Sequence, residues 1–244
     1  MQGNNSKRSC ALLARGFAAL SVILALVGAL SARPAEAAPF AYVTNSADGT
    51  VSVIDTATNT VVATITVGSG PGAVAVTPDG KRAYVGNETN SGTVSVIDTA
   101  TNTVVATVPV GTNAGGVAVT PDGTHVYVAN SRSGTVSGID TVNNAVVATV
   151  AVGSFPIGVA VTPDGKHAYV PNGGDGTVSV IETASNTVTA TVPVGVDPTG
   201  VAITPDGKHA YVTNAFPNPG TVSVIATASN TWWPRSRWGL PPVG

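Results

Sequence analysis

One segment of about 42 residues recurs five times along this chain of 244, and a repeat of that length built from short strand signals predicts an array of β-blades. Each copy passes through a Tyr-Val-x-Asn step, at Tyr42 to Asn45, Tyr84 to Asn87, Tyr127 to Asn130, Tyr169 to Asn172 and Tyr211 to Asn214, and runs on into Gly-Thr-Val-Ser. Abundant Gly, Pro, Val and Thr, with few charges and few aromatics, suit one all-β body whose core is made of small branched side chains.

Within a repeat the alternation of β-branched residues predicts four strands, in residues 116 to 152 at Gly116–Thr120, His125–Asn130, Gly134–Asp140 and Ala145–Val152. Thr-Pro-Asp-Gly joins the first two, Pro presetting its backbone angle and Gly supplying a positive φ. The next pair turns at an Asn-x-x-Gly-type loop and the last at Asp-Thr-x-x-Asn, which makes antiparallel hairpins in series. Pro109, Pro193 and Thr66 fall on fourth strands, and proline is tolerated at an edge, so the fourth strand is the outer rim. The short, apolar first strand suits a crowded central axis, and a radial propeller follows.

Residues 1–38 differ in character. Lys7, Arg8 and Arg15 precede an apolar run from Gly16 to Leu30, and Ala35-Glu36-Ala37 follows as a cleavage sequence, the pattern of a secretory signal peptide. The run falls short of the roughly 20 apolar residues of a spanning helix. Cleavage near Ala38 removes Cys10 and leaves 7 basic and 12 acidic residues, a balance unsuited to binding nucleic acid or an anionic membrane through charge. The expected location is secreted, periplasmic or at the cell surface, with no membrane span after cleavage.

From about Phe40 to Asn230 the chain resembles the YVTN-repeat β-propellers found among bacterial and archaeal exported and surface-layer proteins. Tyr42-Val43-Thr44-Asn45 and Tyr211-Val212-Thr213-Asn214 are literal copies of the motif, and Gly-Thr-Val-Ser and Thr-Pro-Asp-Gly accompany them. The departures are Gly86, Ala129 and Pro171 at the third motif position, Gly138 in place of a strand Val, where a small void is expected, and Ala226 in place of an acid. The resemblance implies about seven blades, of which five repeats are present here.

After Asn230 the pattern calls for Thr-Val-Val-Ala-Thr-Val-Pro-Val-Gly, as at Thr103 to Gly111, but the chain reads Thr231 to Trp238 as Thr-Trp-Trp-Pro-Arg-Ser-Arg-Trp. The codons GTG GTG GCC ACG GTC CCG GTG, one spelling of the expected segment, give Trp-Trp-Pro-Arg-Ser-Arg-Trp when read from their second base. A one-base deletion after Thr231 is therefore expected to have produced the tail. The rival reading is an aromatic, basic tail selected for membrane or glycan contact. The chain divides into a leader (1–38), a propeller (39–230) and an aberrant tail (231–244). The first blade should lack its inner strand and the last its outer strand, giving an open, truncated array.

Comparison among the repeats locates variation. The Thr-Pro-Asp-Gly and Asp-Thr-x-x-Asn turns hardly change, whereas the loops after Tyr-Val-x-Asn and the Val-Gly-x-x-Pro-x-Gly crossings do, and a four-stranded meander puts these two variable loops on one face. Candidate ligand residues on that face are Asn45, Asp48, Asn87, Glu88, Asn130, Arg132, Asn172, Asp175 and Asn214, with Phe155, Asp197 and Phe216 as further contacts. Each has a structural alternative: an Asn at a strand end caps its turn, and an Asp before Gly shapes a hairpin.

His125, His167 and His209 share a repeat position with Arg82, which points to solvent more than to a metal. Nucleophile, phosphate-loop and haem-attachment motifs are not found, and no cofactor is expected. The sequence therefore reads as an exported, non-enzymatic scaffold for protein or cell-wall glycan partners. The alternatives are a purely structural surface coat and, by fold analogy, a lactonase-type hydrolase in which Glu88 with Arg132 activates water.

Overall fold

The structure, a computed structural model, describes residues 40–235, so the leader and residues beyond 235 lie outside the described residues. Among the described residues, nineteen strands form five consecutive antiparallel sheets. Blade 1 has three strands, β1 (Phe40–Asn45), β2 (Thr50–Asp55) and β3 (Thr60–Thr66), and lacks the inner one, as expected. Blade 2 comprises β4 (Pro71–Val76), β5 (Arg82–Asn87), β6 (Thr93–Asp98) and β7 (Thr103–Pro109). Blade 3 comprises β8 (Ala114–Val119), β9 (His125–Asn130), β10 (Thr135–Asp140) and β11 (Ala145–Ala151). Blade 4 comprises β12 (Ala160–Val161), β13 (His167–Asn172), β14 (Thr177–Glu182) and β15 (Thr187–Pro193). Blade 5 comprises β16 (Val196–Ile203), β17 (His209–Phe216), β18 (Thr221–Ala226) and β19 (Thr231–Arg235). The inner strands β4, β8, β12 and β16 touch in succession, and among the described residues no strand pairing joins blade 5 to blade 1.

The fourth strand of blade 5 corrects the expectation that it is missing. Thr231 to Arg235 pair with β18 from Ala226 to Val222, because a strand needs only a free ladder edge and extended residues, which Trp232 and Trp233 supply. Its pairing nevertheless differs from the other four blades. Each of those carries a bulge between its last two strands, at Val53/Ile54, Val96/Ile97, Gly138/Ile139 and Val180/Ile181, whereas β18 and β19 run without one. Omitting the extra residue shifts the following side chains to the opposite face. Blade 4 departs at its inner strand, which keeps two residues opposite Tyr169 and Ala168. Pro171 stands just beyond and has no amide hydrogen to extend that ladder.

The first hairpin of blade 2 shows the turn chemistry. Thr77 Oγ1 donates to Asp79 Oδ1 at 2.6 Å, Gly80 N donates to the Thr77 carbonyl at 2.8 Å, and Gly80 has φ +71°. The Thr77 hydroxyl and then the Lys81 amide hold the Asp79 carboxyl below its usual range, and Asp122, Asp164 and Asp206 are lowered in the same way by Thr120, Thr162 and Thr204.

The core lies between blades. Tyr84, Val94, Val96 and Val108 of blade 2 pack on Val126, Val128 and Ile139 of blade 3, and equivalent clusters join blades 1 and 2, 3 and 4, and 4 and 5, where Trp232 also packs. At each junction the motif tyrosine reaches into the next blade and donates to the asparagine of its outer hairpin. The pairs are Tyr42 to Asn102 (3.4 Å), Tyr84 to Asn144 (2.9 Å), Tyr127 to Asn186 (2.8 Å) and Tyr169 to Asn230 (2.8 Å). Those asparagines sit at φ between 50° and 53°, a left-handed turn conformation that Asn tolerates. Burial is the main reason the phenols of Tyr84, Tyr127 and Tyr169 are pushed up, that of Tyr169 to about 12.

At Gly138 an added Cβ would stand 3.5 Å from Ala148 Cβ and 3.7 Å from Tyr127 Cε1, which is ordinary contact, so the site leaves space for a methyl group.

Candidate functional site

The loops after Tyr-Val-x-Asn and the crossings share one face, and the motif asparagines stand at its base. Four of them leave the candidate set. Asn87, Asn130, Asn172 and Asn214 are buried, and each Nδ2 donates to two hydroxyls of the following strand: Asn130, for example, to Thr135 Oγ1 (3.1 Å) and Ser137 Oγ (2.9 Å). Thr93 and Ser95, Thr177 and Ser179, and Thr221 and Ser223 receive the other three. The reason is register: Thr and Ser of Gly-Thr-Val-Ser point to the same side of the sheet as Asn, so the two motifs form one clamp. Half-buried Asn45 makes the same bonds to Thr50 and Ser52. A glycine of the crossing closes each clamp. A Cβ on Gly111 would lie 2.7 Å from Asn130 Cβ and Cγ, and Gly68, Gly153 and Gly195 lie as tightly on Asn87, Asn172 and Asn214.

The crossings carry the surface that varies. Two residues past each of these glycines the backbone turns left-handed, at Gly70 (φ +59°), Asn113 (+62°), Phe155 (+53°) and Asp197 (+52°). Gly, Asn and Asp accept that conformation readily. A bulky residue does so at a cost of roughly 1–2 kcal/mol. Phe155 nevertheless stands there with 57% of its surface exposed. Its ring borders Gly174, since a Cβ there would be 3.2 Å from Cδ2, and the neighbouring Gly173 would meet Ile157 Cδ1 at 3.1 Å and Asp197 Oδ1 at 3.0 Å. Val196 adjoins Asp197 and pairs with Phe216 across β16 and β17, and both are well exposed. Phe155, Ile157 and Asp197 thus border Gly173 and Gly174 of blade 4, and Val196 and Phe216 add a second exposed apolar pair on blade 5. Nearby, a depression of about 310 Å³ is lined by Gly153, Asp175, Thr177, Ser179 and Thr191. Asp175 shapes its rim by accepting the Ser154 amide at 2.7 Å.

The remaining candidates are dispersed. Glu88 projects toward the inner strands, where Gly72 and Gly115 leave room for its carboxylate: added Cβ atoms there would be 2.6 Å and 2.9 Å from Oε1. Arg132 instead donates to Asn90 Oδ1 at 3.2 Å, and among the described residues no ion pair joins it to Glu88. Asp48 lies in the exposed loop of blade 1, its amide on the Asn45 carbonyl. On the opposite face Asp55, Asp98 and Asp140 accept backbone amides of their own turns. His125, His167 and His209 begin β9, β13 and β17 on separate blades, and among the described residues no three His, Cys, Asp or Glu side chains converge on a metal position.

Five sequential meanders, four of them with inner strands that touch in succession, define a β-propeller protein. The comparisons agree on that class. A YNCE-like beta-propeller family model matches residues 4–111, and a cytochrome D1 heme domain model matches residues 87–173. Hydrazine synthase of Kuenenia stuttgartiensis is similar at 28% identity and a TM-score of 0.71, over 79% of this chain and 61% of that one. A functionally unknown protein from Desulfotomaculum acetoxidans DSM 771 is similar at 24% identity and a TM-score of 0.69, over 80% and 65%. The chain thus spans less than two thirds of either structure. No curated protein matches it. With 1435 solved chains matching, the fold identifies an architecture and no chemistry.

Proposed function

We propose that this chain is an exported, non-enzymatic β-propeller scaffold that binds a protein or cell-envelope glycan through its variable-loop face. The observation that carries the proposal is Phe155: an exposed aromatic ring held in a backbone conformation that three sister positions fill with Gly, Asn and Asp. Strain retained at the surface, without burial to offset it, marks a residue kept for contact. Ile157 beside it and the exposed Val196 and Phe216 of blade 5 add apolar surface, and Asp197, Asp175 and the threonine hydroxyls of the nearby depression provide polar contacts. Export rests on the leader sequence. The test is capture of envelope proteins and of purified cell-wall glycan by the wild-type chain and by Phe155→Gly. Capture of either class that the variant loses at least tenfold, while remaining at least as stable as wild type, supports the proposal; equal capture by both chains sinks it.

A further inference from the structure

The internal blade junctions have a direction, and among the described residues the outward faces of blades 1 and 5 carry its unmatched halves. In each junction the tyrosine of one blade meets the outer-hairpin asparagine of the next, while the valine after that next blade's own motif tyrosine is wholly enclosed, as Val85, Val128, Val170 and Val212 are. On the outward face of blade 5, Tyr211 is 40% exposed, and among the described residues nothing accepts a hydrogen bond from its hydroxyl. Its counterparts Tyr84, Tyr127 and Tyr169 are buried. On the outward face of blade 1, Val43 is 45% and Val61 59% exposed, and Asn59 holds the same left-handed turn, φ +55°, as the four latched asparagines, with no tyrosine upon it among the described residues. One end therefore presents a motif tyrosine without its asparagine and the other an outer-hairpin asparagine without its tyrosine, the two halves of a latch that the molecule already builds four times.

We propose that a second copy of this chain is the occupant of these ends: the Tyr211 face of one copy docks on the Val43, Asn59 and Val61 face of another, head to tail, in the geometry of the internal junctions. Such a contact is heterologous, so each added copy leaves one donor and one acceptor end free and the assembly grows with concentration. The interaction is independent of the Phe155 surface, which lies on the loop face of the blades.

Sedimentation velocity on the full chain tests this with two substitutions, Val43→Asp and Tyr211→Arg. Wild type is expected to give a concentration-dependent series of species, and each variant alone to associate at least tenfold more weakly, because each has one disabled end. Mixed one to one, the variants retain one good end of each kind and are expected to form a pair and nothing larger. Monomeric wild type overturns the proposal, as does a mixture that stays monomeric. A single variant that still assembles overturns it too, since contact through the apolar leader, the tail or two like faces would survive these changes. Circular dichroism verifies folding; if Tyr211→Arg unfolds, Tyr211→Ser, which removes the ring without adding charge, replaces it with the same expected outcomes.

Discussion

At the scale of single residues, the backbone around Phe155 and Gly138 makes opposite demands. Phe155 occupies a left-handed position that glycine occupies without strain, so Phe155→Gly should raise stability by about 1 kcal/mol in denaturant titration, even as it removes the proposed contact. Gly138 is a strand residue with room for a methyl group, and Gly138→Ala should also stabilise, by about 0.5–1 kcal/mol. The reverse holds at Gly111, where a Cβ meets the Asn130 side chain at 2.7 Å. Gly111→Ala should cost about 1–3 kcal/mol in the same measurement. Gly138 and Gly111 differ in what surrounds the Cα, not in the residue itself.

Among elements, the strands and their turns were legible in the sequence, since Thr-Pro-Asp-Gly and the alternation of Val act over a few neighbouring residues. His125–Asn130 falls where expected to the residue, and Ala145–Ala151 to within one. Two features were hidden. The clamp of Asn130 on Thr135 and Ser137 depends on hairpin register, so motif asparagines that looked like loop ligands are buried. The latch from Tyr127 to Asn186 crosses 59 residues, and two repeats must be superposed in space before the pair is visible. Its strength can be graded: Tyr127→Phe, which leaves Asn186 Oδ1 without its donor, should lower stability by about 1–2 kcal/mol, and Tyr42→Phe, whose bond is 3.4 Å long, by less. The Phe155 surface was legible in part. Variation among the crossings and the loops after Tyr-Val-x-Asn pointed to Phe155, Asp197 and Phe216, but Ile157 and Val196 were missed, their exposure being set by the short inner strand of blade 4 and by the pairing of β16 with β17.

For the molecule as a whole, stability is distributed along the array, each blade depending on its neighbours. Blade 3 is covered on both sides, whereas blade 1 exposes Val43 and Val61. Native-state hydrogen exchange should accordingly find β9 and β10 the most protected and β1 to β3 the least. Response to pH follows from the latches. Folding raises the phenol pKa of Tyr84, Tyr127 and Tyr169 by burying the neutral form, so their contribution is intact below pH 10 and is lost as pH rises toward the value of about 12 reached by Tyr169. Alkaline titration should show tyrosinate absorbance and loss of β-structure rising together. The turn carboxylates act at the other end: Asp79, Asp122, Asp164 and Asp206 are lowered, so their small contribution is present at neutral pH and disappears as pH falls below about 4.

The one-way sense of the tyrosine latch bears on how such a chain changes length over generations. Since every junction joins the same donor half to the same acceptor half, a recombination event that gains or loses one whole repeat restores a junction of the kind it broke, with Tyr84 facing Asn186 as it now faces Asn144. A change of part of a repeat leaves a tyrosine and an asparagine out of step at that junction. Inheritance can therefore vary the number of blades in whole units while the surface loops diverge freely, and relatives should differ in length by multiples of about 42 residues.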